Sequence, residues 1–334
     1  MSAQFLTEDK ELLARAGEFS QCTTVAECLQ ENIRAVSREH GIALGTAVLY
    51  DRVLRHPEHR QFFERVRSCP VDNHVQDAPL FGIVPGAFYR QHRNTGADGA
   101  RLAAILQSMG CMTELVPIQS FGSLATNAGI LKNWLRQRKH QRIVLLSLSK
   151  GSADVKTCLR LADAFQTFEH VTAWISLSGL PEGTPLVAWL RQQPLRKLGV
   201  RLLLGLRRQR YSVVEELRHE RGGPLKGWPE VPVPLIHVIG FPLRKHLTHP
   251  WAFRGYDRVA ALGPNDGGGF LLSDVASLPG IVFPVWGTDH YLEPAWDVTT
   301  LLRRVVMTVL EPNLPQTSQS AAKPISPPAT RSSA

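Results

Sequence analysis

No stretch of the 334-residue chain approaches the roughly 18–20 uninterrupted apolar residues that a membrane-spanning helix needs, which excludes an integral helical membrane protein. The N-terminal run MSAQFLTEDKELLARAGEF is mixed in charge and has no apolar core of the signal-peptide kind, so a cytoplasmic location is expected. Cysteine is sparse. Cys22, Cys28, Cys69, Cys111 and Cys158 are odd in number, scattered and outside any metal-like spacing, which argues against a zinc site or a disulfide framework. Cys22 and Cys28 fit neighbouring turns of a helix as structural thiols. Basic residues are not interleaved with aromatics as in single-strand binders, so nucleic acid is not an expected partner. No internal repeat is present.

What is there describes a soluble globular chain. Hydrophobic residues make up 43% and charged residues 20%, enough apolar content for a sizeable core. The length suits one large α/β domain or two small ones. Net charge is +9 and the excess is local: between Leu186 and Lys226 about ten Lys and Arg face three Glu.

Residues 1–75 read as a helical N-terminal extension. Glu8–Ala16 and Val25–Val36 show helical periodicity, and His56-Pro57 breaks the chain before Arg60–Val66. From residue 76 short apolar runs alternate with amphipathic segments. The runs are Leu80–Val84, Met112–Val116, Arg142–Ser147, Val171–Leu177, Pro234–Ile239 and Ile281–Val285. Between them Leu102, Ile105, Leu106 and Met109 share one helical face, as do Leu124, Ala128, Leu131 and Leu135, and Val155, Cys158, Leu159 and Ala162. A last helix carries Val298, Leu301, Leu302, Val305 and Val309 on one side. Buried strands alternating with amphipathic helices specify an α/β domain over 76–311, its mainly parallel sheet covered on both faces. Residues 312–334 are rich in Pro, Ser, Ala and Thr and read as a disordered tail.

An insertion at 181–232 interrupts the alternation. Leu195, Leu198, Leu202 and Leu206 fall at helical spacing with Arg196, Lys197, Arg201, Arg207 and Arg208 around them. That basic amphipathic helix is either an ordinary domain helix with a solvated face or a lid that touches anionic lipid or an acyl substrate.

The chemistry is signalled at the end of the third run, where the strand enters Ser147-Leu148-Ser149-Lys150-Gly151-Ser152 and then a helix. Strand, small-x-Ser-x-small and helix is the setting of a nucleophile elbow, whose sharp turn demands small flanking residues. Ser152 competes, but Lys150 and Asp154 flank it and neither is small. Ser149 is the candidate nucleophile.

With this motif the chain resembles the α/β-hydrolase superfamily, in its lipase- and esterase-like branch. The resemblance covers roughly 78–310 and implies an α/β-hydrolase fold with a helical lid insertion. Pro85-Gly86-Ala87-Phe88-Tyr89, after the run at Leu80–Val84, is similar to the family's oxyanion loop, with Pro85 where His is usual. The resemblance implies backbone N–H donors at Ala87 and Lys150, with Phe88 the alternative to Ala87. Gly263-Pro264-Asn265-Asp266-Gly267-Gly268 resembles the family's acid-bearing turn and makes Asp266 the acid; Asp257 and then Asp274 are the alternatives. Gly287-Thr288-Asp289-His290, after the last strand, places His290 as the base. Ile175-Ser176-Leu177-Ser178-Gly179 and Gly183-Thr184-Pro185-Leu186 complete the likeness.

The resemblance implies a serine hydrolase of carboxylic esters acting through an acyl-enzyme, without cofactor or metal, on a small-molecule or lipid ester. An acyl pocket is expected beneath the 181–232 insertion, lined by its leucines, with weak contact to an anionic membrane surface through its arginines. An acyltransferase or thioesterase with the same triad, or a non-catalytic binding protein of this fold, are the alternatives.

Overall fold

The computed structural model describes residues 3–70, 75–92, 95–206, 209–220, 222–292 and 299–311. The tail at 312–334, Arg207, Arg208 and Val298 lie outside the described residues. Six strands form one wholly parallel sheet: β1 (Leu80–Val84), β2 (Thr113–Leu115), β3 (Ile143–Leu148), β4 (Val171–Leu177), β5 (Leu235–Phe241) and β6 (Ile281–Trp286), in the order β2-β1-β3-β4-β5-β6. Each coincides with one expected apolar run to within two residues at either end. The shortest, β2, lies at the sheet edge and is only half-buried, which explains why its ladder is shorter than its apolar run.

Alternate residues of β1, β3 and β4 feed two separate cores, as the period-2 pleat requires. On one face Phe81, Ile83, Val144, Leu146, Ile175 and Val238 pack under α4 (Pro57–Ser68), α5 (Ala100–Ser108) and α13 (Thr299–Leu310). On the other, Leu80, Val84, Leu145 and Trp174 pack under α6 (Leu124–Arg136), α7 (Lys150–Leu159) and α8 (Ala164–Phe168).

The helices of 1–70 share the core of the sheet. Three of them are α1 (Ala3–Glu18), α2 (Gln30–His40) and α3 (Ile42–Arg55). Ala16, Ile33, Leu44 and Val48 join Ile239, Phe241 and Val282 in one cluster. Between β4 and β5 come α9 (Leu186–Arg191), α10 (Pro194–Leu206) and α11 (Ser212–Glu216), and α12 (Pro250–Val259) follows β5.

The chain leaves β1 toward β2 and leaves β3 toward β4, in opposite directions, a switch point that opens a crevice at the carboxyl ends of the neighbouring strands β1 and β3. Val84 and Ser147 are register partners, which sets the loop after β1 level with the turn after β3.

Candidate active site

Ser149 sits between β3 and α7 with φ 47° and ψ −117°, a left-handed backbone that costs of order 1–3 kcal/mol for a non-glycine residue. The turn is held from two sides. The Ser149 N–H donates to the Leu177 carbonyl at 3.3 Å, and the Ser149 carbonyl accepts from the Leu180 N–H at 3.0 Å. Gly151 is required by contact: a Cβ there would stand 2.5 Å from the Val84 carbonyl oxygen and 2.7 Å from that of Pro85. The half-buried Ser149 side chain is left facing the crevice.

The two neighbouring serines have other work. Ser147 and Ser152 are fully buried; their hydroxyls bond each other at 2.8 Å, and Ser152 bonds Ser176 at 2.8 Å. Ser147 Oγ also accepts the Trp174 indole N–H at 2.7 Å. Ser147 therefore holds a buried polar network below the turn, a role a glycine there cannot fill.

Asp266 and His290 come together at the mouth. Asp266 is fully buried, and its Oδ1 accepts the Gly268 and Phe270 N–H groups at 2.8 and 3.0 Å. Its Oδ2 lies 2.6 Å from His290 Nδ1, and His290 Nε2 lies 3.0 Å from Ser149 Oγ. The carboxylate accepts Nδ1–H, which leaves Nε2 as the acceptor for the serine hydroxyl. Gly268 makes room for the imidazole, since a Cβ there would fall 1.9 Å from His290 Cγ. Burial works against the imidazolium, but Asp266, by charge and hydrogen bond, and then Asp289 outweigh it, holding the His290 pKa above its ordinary value. The other two acids lie elsewhere: Asp257, on α12, pairs with Arg244, and Asp274 faces His219.

The loop after β1 is tied to the loop after β2. Phe88 N–H donates to the Ser120 carbonyl at 2.8 Å, Tyr89 Oη–H donates to the Ile118 carbonyl at 2.8 Å, and the Phe88 and Phe121 rings stack at 4.3 Å. The Phe88 N–H is thus committed, whereas those of Ala87 and Lys150 have no hydrogen-bond acceptor among the described residues.

Three features were not foreseen from sequence. Lys150 turns its side chain inward, fully buried, and bonds Asp154 Oδ1 at 2.6 Å, while Asn127 Nδ2 donates to Asp154 Oδ2 at 3.0 Å. Burial, against the pull of Lys150, pushes the Asp154 pKa up to about 6. Asp289, fully buried beside His290, adds negative charge. The third concerns the insertion, whose expected pocket leucines point the other way: Leu195, Leu198, Leu202 and Leu206 are exposed. The opposite stripe, Val200 and Leu204, packs with Phe88 and Phe121, because only that side of α10 meets the apolar wall beside Ala87. Among the described residues no group of three His, Cys, Asp or Glu is placed to hold a metal ion.

No protein-family model matches the chain. No curated protein matches its sequence. Among solved structures, a metagenomic carboxyl esterase matches with a TM-score of 0.52 at 19% identity, over 72% of this chain and 77% of that one. The mature form of a Bacillus licheniformis lipase matches with a TM-score of 0.49 at 18% identity, over 67% and 89%. Together with the strand order, the first of these likenesses gives the chain the α/β-hydrolase fold.

Proposed function

We propose that the protein is a serine hydrolase of carboxylic esters, with Ser149 as nucleophile, His290 as general base and acid, and Asp266 as orienting acid. The observation that carries this reading is the continuous contact from Asp266 Oδ2 through His290 to Ser149 Oγ, at 2.6 and 3.0 Å, on a backbone held at positive φ. The fold is also that of a protein described as a carboxyl esterase.

Ser149 Oγ bonds to the ester carbonyl carbon as its proton passes to His290 Nε2. The carbonyl oxygen gains charge between the Ala87 and Lys150 N–H groups; each such donor is typically worth about 10²–10³-fold in rate. The C–O bond to the alcohol breaks and the alcohol leaves with the proton from His290. Water then attacks the acyl carbon, gives its proton to His290, and the acid departs as Ser149 recovers its hydrogen. In this reading 76–311 is the hydrolase domain and 181–232 its lid. Phe88, Phe121 and Leu204 provide the apolar wall for the acyl group.

The test is turnover of p-nitrophenyl acetate, butyrate and octanoate. A burst of nitrophenol followed by steady release is expected from the wild type. Ser149→Ala should lose about 10⁶-fold in kcat. Equal rates for the two proteins would remove the reading.

A further inference from the structure

The outer face of α10 has no partner among the described residues. Leu195 and Leu206, one near each end, are 84% and 85% exposed, and Leu198 and Leu202 between them are exposed as well. Four leucines in line on one helix face make an apolar stripe, and the thirteen residues of α10 span about 20 Å. A soluble protein gains nothing by keeping such a stripe in water.

Beside α10 the carboxylates Glu215 and Glu220 are taken up by Arg191, and three further arginines gather there. Arg196 on α10 and Arg258 on α12 lie against the Trp189 ring of α9, 5.1 and 4.4 Å from its centroid. Arg254, one turn before Arg258, lies over Trp251, itself 45% exposed. None of these three arginines forms an ion pair with a carboxylate among the described residues. Burial and then the charges of Arg196 and Arg254 hold the Arg258 pKa below its ordinary value, as expected of crowded, uncompensated cations. The patch also reaches the cleft, since Trp251 neighbours His92 at 6.0 Å and His92 neighbours Phe88 at 6.2 Å.

We propose that this face docks on an anionic lipid bilayer, with the α10 leucines among the acyl chains and Arg196, Arg254 and Arg258 at the headgroups. Charge complementarity selects this occupant. A second copy of the chain would set arginine against arginine. A nucleic acid would satisfy the arginines and leave the leucines in water. A bilayer surface offers phosphate at the depth of the guanidinium groups and hydrocarbon at the depth of the leucines, with Trp251 suited to the boundary.

The experiment is co-sedimentation of full-length Ser149→Ala protein with vesicles of phosphatidylcholine alone or with about 30% phosphatidylglycerol, an anionic fraction high enough to give the surface a negative potential. Using this variant makes the outcome independent of the hydrolase reading. Binding to the anionic vesicles, lost as salt is raised, is expected. Leu195→Ser with Leu206→Ser should weaken it by on the order of tenfold or more, and Arg196→Glu with Arg254→Glu at least as much. All four side chains are exposed, and circular dichroism of both variants should match the parent. No binding at low salt would overturn the proposal, as would binding indifferent to the leucine substitutions or equal on neutral vesicles. A concentration-dependent dimer dissociated by Leu195→Ser/Leu206→Ser would also overturn it, assigning the stripe to a second copy.

Discussion

Gly268→Ala isolates the position of His290 from every other property of the site. Gly268 does not have a positive φ, so alanine is free to adopt its backbone, and the only obstacle is contact. The new Cβ would stand 1.9 Å from His290 Cγ, 2.2 Å from Cδ2 and 2.4 Å from Cβ. Real Cβ contacts essentially never fall below 3.0 Å, so ring and loop must separate by at least about 1.1 Å, from 1.9 to 3.0 Å. A shift of that size either takes Nε2 beyond hydrogen-bond reach of Ser149 Oγ, now 3.0 Å, or breaks the 2.6 Å contact with Asp266. Misplacement by about 1 Å costs on the order of 10²-fold in rate. Loss of the imidazole altogether sets an upper bound of about 10⁶-fold. The assay is kcat/KM on p-nitrophenyl butyrate for wild type, Gly268→Ala, His290→Ala and the double variant. Gly268→Ala should lose at least about 10²-fold alone and nothing further in the His290→Ala background, because both act through one group. Wild-type kcat/KM in Gly268→Ala, or additive losses in the double variant, would refute the reasoning.

Further predictions concern the groups behind the site. The His290 pKa is held above 6.5, so the stability it contributes is fully present below that pH and is lost as pH rises through the folded pKa. Activity needs the neutral ring and runs the other way: kcat/KM should rise with pH with a midpoint above 6.5, and Asp289→Asn should move that midpoint down without abolishing turnover. Asp154→Ala strands the buried Lys150 ammonium and should cost about 3–5 kcal/mol in urea unfolding, most of it recovered in Lys150→Met/Asp154→Leu. Ser147→Ala leaves the Trp174 indole N–H without its acceptor and should cost about 1–3 kcal/mol of stability while kcat stays near wild type.

Strand positions were legible because each run is short, apolar and bounded by turns, and both faces of a parallel strand are buried. Ser149, Asp266 and His290 were legible because each sits in a local turn the chain spells out: small flanks at 147 and 151, glycines at 267 and 268, and a strand end before Gly287. Helix α3 was not distinguished within the helical N-terminal region. Leu44, Ala47, Val48 and Leu49 are all buried, so its apolar residues wrap around the helix and the amphipathic signal blurs. The Lys150–Asp154 pair has the i, i+4 spacing of a surface ion pair, and nothing local says that it is buried. The direction of the α10 leucines was equally hidden. Two apolar stripes compete on that helix, and the choice between them is made by Phe88 and Phe121, more than seventy residues earlier in the chain.

The central claim is that Ser149 is activated by His290. Its most direct test is labelling with a fluorophosphonate probe, followed by mass mapping of the modified peptide. A single adduct on Ser149 in the wild type, absent from Ser149→Ala and His290→Ala, is the predicted result. A folded wild type that takes no label, or takes it at another residue, would contradict the account.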